Sequence, residues 1–72
     1  MPYRTNTDLP ASVRNHLPEH AQDIFRKAFN HAFVAHAGEA DREQRAFRIA
    51  WAAVKHGYQK DGAMWVPRHQ AS

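Results

Sequence analysis

One apolar stripe constrains this chain more than any other feature. Ala21, Ile24, Phe25, Ala28, Phe29, Ala32 and Ala35 recur at 3.6-residue spacing, and polar residues fill the gaps between them. That period belongs to an amphipathic helix which must bury one face. Pro18 suits the opening of such a helix, and Glu19 complements the positive end of its dipole. Gly38 reads as a left-handed cap at its end. Asp23 and Lys27 form an i,i+4 pair on the opposite face, with a contribution of ~0.2–0.5 kcal/mol.

A second stripe follows. Asp41 is placed to cap a further helix and to pair with Arg45, while Ala46, Phe47, Ala50, Trp51, Val54 and Tyr58 line its inner face. Asp61-Gly62 is a turn signal, and Met64-Trp65-Val66 is apolar enough for a short strand that Pro67 ends. Before the first long helix, Asp8 can cap a short helix with Leu9 and Pro10 in its first turn. That helix cannot run on past Leu17, because Pro18 disfavours the α conformation there. Tyr3-Arg4-Thr5 can extend and pair with the strand near Trp65, with Trp65 packing under Tyr3. The expected fold is mainly α: a compact three-helix domain over residues 1–66, one helix short and two long. A small two-stranded β element pairs the chain ends, and a disordered tail covers 67–72.

The core must be drawn from few large side chains. Hydrophobic residues make up 43% of the 72, but many are alanine. A chain of this length buries only roughly 60% of its unfolded surface, so aromatics must carry much of the packing at ~150–250 Å² each. The expected core is Ile24, Phe25, Phe29, Phe47, Trp51, Val54 and Tyr58, with Leu9, Leu17 and Ile49 as further apolar residues. Phe33 and Val34 point away from the main stripe. The short helix and the terminal strands are expected to cover Phe33, and Val34 is the better candidate for an exposed contact.

Composition removes several function classes. There is no cysteine, so neither a disulfide nor a thiolate metal site can form. No apolar run approaches the ~20 residues of a membrane span, and a signal-peptide core is absent, so a cytoplasmic protein is expected. The stretch "HLPEH" (His16 to His20) matches an H-x-x-E-H zinc motif. Such a site needs both histidines on one continuous helix, and Pro18 breaks it between them. The motif therefore reads as a helix boundary. The chain holds six histidines. They read first as solvated helix-surface residues, with pH sensing and metal capture as rival readings. His36 alone projects near the apolar face. No nucleophile–base pair, glycine-rich phosphate loop or carboxylate dyad is apparent, so neither an enzyme nor a cofactor or metal site is expected.

The net charge is +3, and Arg45, Arg48 and Lys55 line the outer face of the second long helix, with Arg42 just off it. This stripe suits an acidic protein surface or the phosphates of a nucleic acid. Together with Val34 it forms the candidate partner surface. The tryptophans could serve as stacking platforms, but Trp51 sits at core spacing with Phe47 and Val54.

The opening "MPYRTNTDLPASVRNHLPEHAQDIFRKAFNHAF" and the later "AWAAVKHGYQK" resemble the ChaB family. The doubled Leu-Pro steps (Leu9-Pro10 and Leu17-Pro18), the segment from "HAQDI" to "AFN" and the "AWAAVK" block carry the likeness, which runs from Met1 to about Trp65. The resemblance implies a compact fold of about three helices with a small β element. It also implies a regulator of cation transport, linked to a sodium/calcium–proton antiporter. The resemblance further implies an adaptor that contacts such a partner, and the basic face of the second long helix leaves a small nucleic-acid-associated protein as the alternative.

Overall fold

The computed structural model describes residues 3–68. A single 3-10 turn, Asn6–Asp8, leads into α1 (Ala11–Arg14), α2 (Glu19–Ala35) and α3 (Arg42–Gly57). Strands β1 (Tyr58–Asp61) and β2 (Met64–Pro67) then close the chain as an antiparallel pair. Three helices, one short and two long, with one small sheet are what the periodicity predicts.

The two long helices pack through small residues. Ala21 and Ala32 of α2, with Ala46, Ala50 and Val54 of α3, are all buried. Phe25 and Phe29 fill the space beside this alanine seam. Phe25 meets Phe47 and Trp51 edge-on, with ring centroids 5.3 Å apart in both cases, an arrangement that the ring quadrupole favours. Val13 of α1, with Leu9 and Leu17 on either side of that helix, closes the core. Tyr58 and Val54 complete it, while Ile24, Phe47 and Trp51 are half-buried against it. Ile49 and Ala35 do not join the core and face solvent.

The sheet departs from the expected pairing. β2 runs beside β1, with Lys60 opposite Trp65 and Asp61 opposite Met64, and not beside Tyr3-Arg4-Thr5. Two facts explain this. Gly62 takes φ 66° as the first residue of a two-residue turn, the tight hairpin geometry that glycine allows. The backbone of Tyr3 is meanwhile satisfied elsewhere: its N–H donates to Asn30 Oδ1 at 2.8 Å, and its carbonyl accepts from Asn30 Nδ2 at 2.7 Å. Trp65 accordingly packs on Trp51 and Tyr3 on Phe29. Tyr58, expected on the last helical turn, opens β1 because Gly57 ends the helix.

The caps also differ. Asp8 does not cap α1. Its carboxylate accepts the N–H groups of Thr5 and Arg4 at 3.2 and 3.3 Å. The extended residues Leu9 and Pro10 hold it away from the first helical N–H groups. Asp41 precedes α3 without a side-chain cap, because its carboxylate is drawn to Arg45. Gly38 is not left-handed: α2 closes through Ala37 N–H to Val34 O, a tightened i→i+3 bond that needs no positive φ. Asp23 pairs with Arg26 rather than Lys27. Of the stretch expected as a tail, Pro67 lies in β2 and Arg68 donates to the carbonyl of Lys55 at 2.7 Å. The rest of that tail, 69–72, lies outside the described residues.

Candidate functional site

Val34 is 67% exposed on α2, as its position off the main stripe predicts. Arg45, Arg48 and Lys55 lie exposed on α3, but they are not equivalent. Arg45 Nε stands 2.8 Å from Glu39 Oε1 and 3.4 Å from Asp41 Oδ2, so its charge is already offset. Among the described residues no carboxylate pairs with Arg48 or Lys55. Phe33 is half-buried against the core. The Arg42 guanidinium lies 3.8 Å over its ring, and Phe29 stacks beneath. A cation–π lid of this kind hides an aromatic face while keeping its charge in water.

Two grooves hold the cations that remain. The first, of about 560 Å³, runs between the N-terminal segment and α3 and is walled by Tyr3, Pro10, Glu43, Phe47, Arg48 and Trp51. The second, of about 420 Å³, is walled by Ser12, His16, Trp51, Lys55, Lys60 and Trp65. Trp51 belongs to both. Neither groove includes Val34 or Arg45. Lys60 and Ser12 were not among the sequence candidates, and Trp65 entered there only as a possible stacking platform. Lys60 and Trp65 come together because they are directly opposed in the hairpin, and opposed residues share one face. Placing them from sequence requires the Asp61-Gly62 turn to be read as a hairpin joining Lys60 to Trp65.

The local electrostatics follow from simple contacts. Burial raises the Tyr3 hydroxyl above its usual pKa, and the negative charge of Glu43 adds to the shift. Asp23 is lowered, first by the hydrogen bond from Asn6 (2.7 Å) and then by Arg26 and Lys27, against a partial opposing effect of burial.

The histidines scatter. His16 Nδ1 lies 2.8 Å from the Ser12 carbonyl. A carbonyl only accepts, so Nδ1 is the donor in this bond, and His16 also lines the second groove. His20 rests beside the Tyr58 ring, and His36 pairs with Glu39. His31 is exposed, and His56 borders a shallow depression with Lys55 and Arg68. His69 lies outside the described residues. "HLPEH" straddles the break between α1 and α2, with Pro18 as the N-cap of α2. Among the described residues no three His, Asp or Glu side chains are grouped as a metal would need. No helix among them is long and apolar enough to cross a membrane.

Comparison with known proteins agrees with the sequence resemblance. A family model described as ChaB matches residues 9–68. A relative from Escherichia coli strain K12, named "Putative cation transport regulator ChaB", is 49% identical, with 90% of this chain and 95% of the relative covered. The protein of the same name from Shigella flexneri matches equally. A solution NMR structure titled for the putative cation transport regulator ChaB superposes with a TM-score of 0.79 at 44% identity. It covers 93% of this chain and 99% of its own. Sharing sequence and fold over nearly its whole length with these proteins, the chain belongs to the ChaB family.

Proposed function

We propose that this protein is a non-enzymatic adaptor in the cytoplasm that regulates cation transport by contacting the cytosolic face of a sodium/calcium–proton antiporter. The observation that carries this reading is the close likeness to relatives named as cation transport regulators. The surface supports it. Two neighbouring grooves present half-buried aromatic rings beside unpaired cations, a combination suited to docking a protein segment. The alternative, a nucleic-acid-associated protein, needs a continuous track of positive charge on α3. Arg45 is neutralised by Glu39 and Asp41, and Glu43 lies on the same helix. That weakens the nucleic-acid reading.

The test is recovery of the tagged protein from nuclease-treated, detergent-solubilised cells. A cation–proton antiporter retained at moderate salt is the expected result. Loss of every partner on nuclease treatment would move the function to nucleic acid.

A further inference from the structure

The two grooves can be considered as one trough. Trp51 lines both, so the two grooves adjoin at its indole. The chemistry changes along it. At one end Lys55, Lys60 and His16 line the groove beside the paired indoles of Trp51 and Trp65, whose rings are 5.5 Å apart. Among the described residues no carboxylate pairs with either lysine. At the other end, beside Phe47 and Tyr3, Arg48 faces the groove together with Glu43.

We infer that this trough binds an acidic, aromatic-containing peptide segment, with carboxylates at the Lys55–Lys60 end and an apolar side chain over Trp51 and Phe47. The inference rests on the regulator reading only for the source of the peptide, which would be a segment of the transporter. Three observations select a peptide. Two unpaired lysines stand together at one end, where they can meet two carboxylates, while Arg48 at the other end shares its groove with Glu43. Glu43 at the other end would repel a phosphate backbone running the length of the trough, whereas a peptide tolerates one carboxylate by placing a neutral or basic residue there. The tryptophans pack on each other at 38° and are half-buried. They offer edges and a shared apolar floor, not the separate open faces on which successive bases stack.

The chain has only two tryptophans, and both line the trough, so their indole N–H resonances report occupancy directly. The probe is a short synthetic peptide of alternating glutamate and phenylalanine, titrated into the isotope-labelled full chain. Both indole resonances should shift together and saturate. A peptide with lysine in place of glutamate should not shift them, and one with serine in place of phenylalanine should shift them more weakly. The double variant Lys55→Glu/Lys60→Glu should weaken binding about tenfold, as expected for reversing two exposed ion pairs. The neutral pair Lys55→Gln/Lys60→Gln should weaken it less, and Lys27→Glu, away from both grooves, should leave it unchanged.

Saturable indole shifts with a thymidine oligonucleotide or anionic lipid vesicles but not with the acidic peptide would overturn the inference. So would shifts that depend on protein concentration alone, or no shift with any probe. Failure here is distinct from failure of the regulator reading. An antiporter complex that survives Lys55→Glu/Lys60→Glu removes the trough and keeps the regulator. Peptide binding without any antiporter complex does the reverse.

Discussion

Asn30 holds Tyr3 as a neighbouring strand would, accepting from its N–H at 2.8 Å and donating to its carbonyl at 2.7 Å. One side chain on α2 thereby takes both backbone groups of a residue 27 positions earlier. Further contacts extend the clasp along the same helix: Arg26 donates to Asn6 Oδ1 at 2.8 Å, and Asn6 donates to Asp23 at 2.7 Å. Asp23, Arg26 and Asn30 follow i, i+3, i+7 spacing, so the polar face of α2 grips the N-terminal segment while the apolar face builds the core. The ring of Tyr3 then lies 4.8 Å from Phe29 and forms one wall of the first groove.

Asn30→Ala should destabilise the fold by ~1–3 kcal/mol, because it leaves a part-buried N–H and carbonyl without partners. Amide exchange at Tyr3 should accelerate more than in the core of α3. Unchanged exchange at Tyr3 would show that the clasp does not hold the segment.

Asp23 predicts a pH dependence. Its pKa is lowered in the folded state, so it contributes stability above the ordinary carboxylate value of about 4, and that contribution is lost as pH falls through the lower folded value. Asp23→Asn should flatten the acid side of the melting profile relative to the wild type and leave the shape near neutral pH unaltered. Parallel profiles down to low pH would contradict the assignment.

Core substitutions should rank by burial. Phe25 is fully buried among Phe29, Phe47 and Trp51, and Phe25→Ala should cost ~3–5 kcal/mol, enough to unfold a domain this small. Trp51→Ala should cost less, since one side of its indole faces the grooves. Urea denaturation midpoints decide the order, and a more damaging Trp51→Ala would reverse it.

Two surface residues should behave oppositely. Val34→Ser should change stability by no more than ~0.5 kcal/mol, because the side chain is already in water. Arg42→Ala should cost about 0.5–1 kcal/mol by uncovering the Phe33 ring. Equal melting points for Arg42→Ala and the wild type would remove the lid from the account.

What could be read in advance follows from which interactions are local. The stripes from Ala21 to Ala32 and from Ala46 to Val54 are periodic in sequence, so both long helices and the helix break at Pro18 were readable. The turn at Asp61-Gly62 is readable too, but the strand pairing it imposes differs from a pairing of the chain ends. A two-residue glycine turn pairs the residues immediately on either side, which makes Tyr58 a strand residue and sets Lys60 against Trp65. The grip of Asn30 on Tyr3 joins residues far apart in sequence through a side chain, and no local pattern encodes it. The candidate cations on α3 were visible as a stripe. Their sorting into a neutralised Arg45 and unpaired Arg48 and Lys55 depends on where the loop places Glu39 and Asp41.

The most direct test of the central claim is the rate of cation–proton exchange in vesicles that contain the purified antiporter, measured as this protein is added to the cytosolic face. The account predicts a saturable change in rate that the Lys55→Glu/Lys60→Glu variant reproduces only at higher concentration. An exchange rate that stays constant at every concentration of the wild-type protein would contradict it.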